Sequence, residues 1–254
     1  MTFETCNLSI TRDGVPVLEG IDLSLPPGGI TAIIGPNGAG KSTLLHAMAG
    51  LLSPHAGAVR LNGRDLSGIQ PGERARSLAL LTQDQGVTAR LTVADLIAFG
   101  RWPHHQGRPG HEDRAAVADA IETFDLGPLA ARTLDALSGG QRQRAFVAMA
   151  YAQTTPWILL DEPLSALDPR YAHDIMRRLH DLSRTGPDAR SVVIVVHDLG
   201  VTARFADRVI GLKDGKLFGA GETGDLMTSD WLTRLYDTPM EVAEVGGRKI
   251  PFAA

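Results

Sequence analysis

The first 25 residues alternate. Leu8 and Ile10, then Val17, Ile21, Leu23 and Leu25, are apolar positions set among polar ones on either side of Asp13-Gly14. A period of two broken by Asp-Gly predicts a pair of strands joined by a hairpin. Pro26-Pro27-Gly28-Gly29 ends that pattern, and residues 30–34 form a short, wholly apolar run. Such a run reads as a parallel strand covered on both faces. A Gly-rich turn follows, then a predicted helix with Leu44, Leu45 and Met48 on one face. Residues 59–61 and 78–82 read as further short strands.

From about residue 85 the periodicity changes. Residues 93–99 read as a helix, and residues 101–110, rich in Pro, Gly and His, as a loop. Val117, Ala120, Ile121 and Phe124 fall at i, i+3, i+4 and i+7, which predicts an amphipathic helix. Short apolar runs return at 157–160 and 192–196, with a helix carrying Ile175, Met176 and Leu179 between them. Asp214-Gly215 marks a closing hairpin. Strands alternating with helices predict an α/β sheet, with a mostly helical block at 85–155 inserted into it.

Three apolar runs lead into polar groups that can do chemistry. The first leads into Gly35-Pro36-Asn37-Gly38-Ala39-Gly40-Lys41-Ser42-Thr43, a full match to G-x-x-x-x-G-K-[ST] between a strand and a helix. Glycines let the backbone turn its N–H groups into one concavity, and the helix N-terminus behind it favours phosphate. Lys41 is placed to reach the β- and γ-phosphates, and the Ser42 hydroxyl to meet Mg²⁺. The second run ends in Asp161-Glu162. A carboxylate there suits Mg²⁺, and a second beside it suits polarisation of the attacking water. Asp-Glu after apolar residues is common by itself, and it acquires this reading from the P-loop upstream. The third run ends at His197.

Leu137-Ser138-Gly139-Gly140-Gln141-Arg142-Gln143-Arg144 resembles the signature motif of ABC-type ATPases. Ser165-Ala166-Leu167-Asp168 is similar to their D-loop, His197 to their switch histidine and Gln83 to their Q-loop glutamine. The motifs stand in the family's order, and the resemblance runs from about Leu8 to about Tyr236. It implies an α/β fold with a P-loop NTPase (RecA-like) core, an antiparallel β subdomain and an inserted α-helical signature subdomain, within one domain spanning 1–254. It implies ATP and Mg²⁺ as cofactors, with Ser42, Gln83 and Asp161 at the metal and Glu162, His197 and Gln83 in catalysis. Ser138, Gly139, Gly140, Gln141 and Asp168 then contribute to nucleotide binding, with the signature of one subunit closing over the P-loop of another in a head-to-tail homodimer. In the place of the family's usual adenine-stacking aromatic stands Arg12, which either stacks its guanidinium on the base or is a solvated turn residue.

The segment Phe99-Gly100-Arg101-Trp102-Pro103-His104-His105-Gln106-Gly107-Arg108 resembles the corresponding loop of ferric-siderophore importer ATPases, and residues 226–237 resemble their C-terminal helix. The cargo this implies is an iron(III)-siderophore, with haem or cobalamin as the neighbouring alternatives. The implied partners are a separate transmembrane permease and, indirectly, a periplasmic or lipoprotein substrate-binding protein, and the implied place is the cytoplasmic face of the inner membrane.

Composition narrows the field modestly. With 43% hydrophobic residues in 254, a large core is available. A net charge of −4 gives no electrostatic footprint for nucleic acid. Cys6 is the single cysteine, so neither an intramolecular disulfide nor a cysteine-built metal site is possible. The first residues carry no secretory pattern, and no apolar run approaches the roughly 20 residues that span a bilayer. A soluble ABC ATPase of DNA repair or translation is the rival class. Its usual marks, a long coiled-coil insertion or two tandem cassettes, are not found in this sequence.

Overall fold

The computed structural model describes residues 2–83, 90–165, 167–184 and 189–254. Ala166 of the D-loop reading and Gln85, where the helical block was expected to start, lie outside them.

Strands β1 (Phe3–Arg12) and β2 (Val15–Leu25) form the expected hairpin, turning through Asp13 and Gly14 at φ 50° and 78°. Next come β3 (Ile30–Ile34), helix α1 (Lys41–Met48), β4 (Ala56–Leu61), the two-residue β5 (Arg64–Asp65), α2 (Pro71–Ser77) and β6 (Leu78–Leu81). Between β6 and β7 (Trp157–Leu160) the described chain is helical. It holds α3 (Val93–Phe99), α4 (Trp102–His105), α5 (His111–Thr123) and α6 (Gly139–Ala152). Then follow α7 (Pro169–Leu182), β8 (Ser191–Val195), α8 (Leu199–Phe205), β9 (Arg208–Lys213), β10 (Lys216–Glu222), α9 (Thr223–Leu226), α10 (Ser229–Tyr236), β11 (Met240–Val245) and β12 (Arg248–Ala253).

The strands make a four-stranded antiparallel sheet, β2-β1-β4-β5, a six-stranded sheet, β10-β9-β3-β8-β7-β6, and a separate β11-β12 hairpin. In the six-stranded sheet β6, β7, β8, β3 and β9 are all parallel, and only β10 runs against its neighbour. Every residue of β3, β7 and β8 is buried, as continuous apolar runs in a two-sided sheet require. The sheet divides two cores. One packs Ile33, Leu44, Leu45 and Trp157 against the antiparallel sheet. The other packs Ile34, Leu160 and Val196 against the helices α3, α5 and α6.

Two expectations are corrected. The loop expected at 101–110 contains α4, because Pro103 in a first turn supplies a helical φ and loses no needed hydrogen bond. Gln106 and Gly107, both at positive φ, then stop it after one turn. The helix expected over 226–237 starts later, as α10 at Ser229–Tyr236, after α9 has ended at Leu226. Met227 leaves helical geometry, and the Thr228 side chain caps α10 afresh by accepting from the Trp231 N–H. Helix α2 and the C-terminal hairpin were not foreseen at all.

Candidate nucleotide site

The parallel strands explain where the motifs meet. Chains leaving the carboxyl ends of parallel strands emerge along one edge, where α/β sheets bind ligands. Here β3 emits the P-loop, β6 emits Gln83, β7 emits Asp161-Glu162 and β8 emits His197. The Asp161 N–H donates to Leu81 O at 2.8 Å, which carries the β6–β7 register one step past the strands.

The P-loop geometry depends on its glycines. Gly35 sits at φ 144°, and a Cβ there would fall 2.0 Å from Leu212 O. Gly40, the N-cap of α1, sits at φ 94° and has no side chain to occupy the cap. The first-turn N–H groups of α1 are therefore left facing outward, as an anion site needs. Lys41 Nζ donates to Gly35 O and Pro36 O, both at 2.9 Å, closing the loop on itself. Burial pushes the Lys41 ammonium down, and the charges of Glu162 and Asp161 oppose that.

Around the two acids the partners differ. Ser42 Oγ donates to Asp161 Oδ1 at 2.8 Å. His46 Nε2 lies 3.0 Å from Asp161 Oδ2. Burial pushes the Asp161 carboxyl up and the Glu162 charge adds to this, outweighing Ser42 and His46. A buried carboxylate short of compensating charge, beside a serine hydroxyl, is a pair of hard oxygen donors that fits Mg²⁺.

Glu162 is gripped on both oxygens. His197 Nε2 is 2.7 Å from Oε1, while Gln83 Nε2 and Ser165 Oγ donate to Oε2 at 2.9 and 3.0 Å. Burial would raise this carboxyl, but the hydrogen bonds from His197 and Ser165, with the charges of His197 and Lys41, hold it below the ordinary range. It is thus ionised at neutral pH, as a base must be. Its backbone sits at φ 48°, a left-handed conformation costing about 1–3 kcal/mol for a non-glycine residue. The side-chain contacts offset that strain and aim the carboxylate.

A cleft of ≈ 360 Å³ brings together Arg12, Val17, Asn37, Gly38, Gly40, Lys41, Ser42, Thr43, Glu162 and His197. Arg12 therefore lies at the P-loop and not on a remote turn. Among the described residues, the signature segment is not part of this lining. Ser138 instead caps α6 in a reciprocal box with Gln141, accepting from its N–H at 3.3 Å while Gln141 Oε1 accepts from Ser138 N at 3.1 Å. Asp168 caps α7 by accepting from the Tyr171 N–H at 3.0 Å. A Cβ on Gly140 would meet the Tyr171 ring at 2.6 Å, so the two capped helix starts are packed against each other.

Two residues at this edge have no motif to mark them. One is His46, a turn into α1 from Ser42. The other is Tyr236, the last residue of α10, whose Oη accepts from the Gly35 N–H at 3.2 Å. Burial pushes the Tyr236 phenol up to about 12, against the opposing effect of that hydrogen bond, so it stays neutral. A chemical signal existed for His46, whose spacing from Ser42 places both on one helical face. Tyr236 had none, because its partner lies 201 residues away.

A P-loop at the carboxyl edge of a parallel sheet, with an ionised glutamate held beside it and a second capped helix start outside the cleft, defines an ATP-hydrolysing cassette. The profile of the ABC transporter family matches residues 18–165, and the chain belongs to that family. It is 36% identical to the petrobactin import ATP-binding protein YclP of Bacillus subtilis over 247 residues, covering 97% of each chain. It is 44% identical to the hemin import ATP-binding protein HmuV of Pseudomonas aeruginosa over 215 residues, covering 83% of this chain and 82% of that one. Its fold matches a solved structure described as an inward-facing metal-chelate type ABC transporter, with TM-score 0.84 and 28% identity. That match covers 99% of this chain and 97% of the other.

Proposed function

We propose that this chain is the ATPase subunit of an iron-chelate importer, and that it acts as a head-to-tail pair on a separate membrane permease. The observation that carries the catalytic part is the grip of Gln83, Ser165 and His197 on Glu162 at the mouth of the P-loop cleft. ATP lies with its phosphates in the Gly35–Thr43 loop, and Lys41 leaves the Gly35 and Pro36 carbonyls for the β- and γ-phosphates. Arg12 stands over the base. Ser42, Asp161 and Gln83 hold Mg²⁺, which neutralises phosphate charge when bound. Glu162 orients water and accepts its proton, and His197 shifts from Glu162 towards the γ-phosphate. Ser138, Gly139, Gly140, Gln141 and Asp168 lie outside the cleft lining of their own chain, which supports their serving the nucleotide of the partner. Glu162→Gln should preserve ATP binding, lower turnover by about 10²–10³-fold and accumulate an ATP-bound dimer. Near-normal steady-state hydrolysis by that variant would remove Glu162 from the role.

Residues 85–155 serve as the helical subdomain that meets the permease. Two large apolar side chains of this block, Phe99 and Trp102, are 52% and 55% exposed, which supports a covering partner. No described helix is long and apolar enough to cross a membrane. The subunit works at the cytoplasmic face of the inner membrane, and a substrate-binding protein delivers cargo from the other side.

The cargo is a ferric siderophore, as the likeness to the petrobactin importer supports. The 44% identity to a hemin import protein favours haem as the second reading. Deleting the gene and supplying iron as siderophore or as haem separates them. Loss of siderophore uptake, restored by wild type and not by Glu162→Gln, supports the first. Loss of haem uptake alone supports the second and leaves the ATPase reading intact.

A further inference from the structure

The C-terminal hairpin is an amphipathic ribbon whose inner face is already used. Met240 and Val242 pack onto the main core, and Pro251 is buried. The Met240 N–H donates to Thr233 Oγ1 at 2.9 Å and the Val242 N–H to Ser229 Oγ at 3.0 Å, fixing the ribbon to α10. Side chains alternate across a strand. The register Glu241↔Phe252, Ala243↔Ile250 and Val245↔Arg248 therefore puts these six residues together on the outer face.

That face carries Ala243 and Ile250 at its middle and one charged beside one apolar side chain at each end, Glu241 with Phe252 and Arg248 with Val245. Val245, Ile250 and Phe252 are 58%, 43% and 42% exposed, three of the seven large hydrophobic side chains so exposed among the described residues. Glu241 lies at the open end and Arg248 at the turn, four strand positions or about 13 Å apart. Neither has an ion-pair partner among the described residues. An apolar stripe with a lone negative end and a lone positive end is complementary to itself when reversed. A two-fold axis across the strands brings each Arg248 end to the partner's Glu241 end and stacks the apolar middles. The reverse choice, an axis along the strands, sets like charges together.

We propose that the outer face of β11–β12 pairs antiparallel with the same face of a second copy of this chain, without nucleotide. The ribbon is small beside a standard interface, so the contact is weak and acts as a tether. Arg248 and Ile250 also border a cleft with Leu164, Leu167 and Asp198, close to the D-loop segment, so the test must read nucleotide-dependent pairing separately.

The test is sedimentation of the full chain, free of nucleotide, over micromolar to submillimolar concentrations. Wild type should self-associate. Glu241→Arg and Arg248→Glu should each weaken association about ten-fold, since each change removes two attractions and creates two repulsions per dimer. The double swap, E241R with R248E, should return it to within about two-fold of wild type. All three should keep ATP-dependent pairing in a Glu162→Gln background, which reads the nucleotide interface separately. A monomeric wild type, single swaps without effect, or a double swap that fails to restore association would overturn the proposal. So would charge variants that leave self-association intact and lose binding to a permease, an outcome assigning the face to the membrane partner.

Discussion

Glycine 35 and Tyr236 show how a single backbone N–H joins opposite ends of the chain. Gly35 O is held by Lys41 and Gly35 N–H by Tyr236, so the peptides on either side of the first P-loop residue are fixed. If Lys41 turns to phosphate, as proposed, Tyr236 is the anchor that remains. Tyr236→Phe keeps the ring and deletes the acceptor, leaving a buried N–H unpaired. It should weaken ATP binding by about 1 kcal/mol, roughly five-fold, with a kcat change under about two-fold. Equal affinities for ATP in the two proteins would show that the bond does not position the loop. Gly35→Ala is a harsher change, because the Cβ meets Leu212 O at 2.0 Å, and it should abolish ATP binding. At this scale the sequence was legible where chemistry and spacing coincide. The P-loop, Asp161-Glu162, His197 and Gln83 announced themselves by residue type and order. Their mutual contacts, Gln83 and His197 on Glu162 and Ser42 on Asp161, needed the parallel sheet to be seen.

Elements were legible where burial sets a simple period. The apolar runs gave β3, β7 and β8 almost to the residue, because a strand covered on both faces admits little else. The ends of the chain's helices were harder, since a cap or one turn of α4 depends on local φ values and not on periodicity. The β11–β12 hairpin was missed because its alternation is diluted by Glu, Lys and Arg. Another element-scale feature also lay beyond sequence reading. Arg178 of α7 donates to Asp174 at 3.1 Å and also reaches Asp125 and Thr123 O at the end of α5. It thereby ties the helical block to the sheet core. Burial alone would raise the Asp174 carboxyl, but the Arg178 hydrogen bond and the charges of Arg178, Arg144 and Arg177 bring it below the ordinary value. A depressed folded pKa contributes stability above the unfolded value, and that stability is lost as pH falls through the folded one. Arg178→Met should therefore lower the thermal midpoint at neutral pH, by an amount equivalent to about 1–3 kcal/mol. The gap between variant and wild type should narrow as pH falls below the ordinary carboxylate range. A gap constant across that range would mean that the Arg178 ring of contacts contributes through packing and not through charge.

At the scale of the whole molecule, the placement of two anion-binding helix starts argues for a pair. The α1 start opens into the cleft with Glu162, whereas the α6 start, capped by Ser138, does not share that lining. A chain with half of two sites suggests a dimer with two whole ones, each made of one P-loop and one signature. Mixing tests this arrangement. Dimers of Lys41→Ala chains have two defective P-loops, and dimers of Ser138→Arg chains have two blocked signatures, so each pure protein should fail to trap ATP between subunits. In a mixed dimer both lesions fall in the same composite site, and the other site is wholly wild type. If chains pair at random, half the dimers are mixed, so about a quarter of all composite sites are intact. Occluded ATP in the mixture should therefore recover to about a quarter of the wild-type amount, in a Glu162→Gln background that prevents its loss. Hydrolysis in the parent background would recover to the same fraction for independent sites and not at all for obligately coupled ones, so occlusion is the decisive readout. No occluded nucleotide in the mixture would mean that Lys41 and Ser138 act within one chain, and the head-to-tail pair would have to be abandoned.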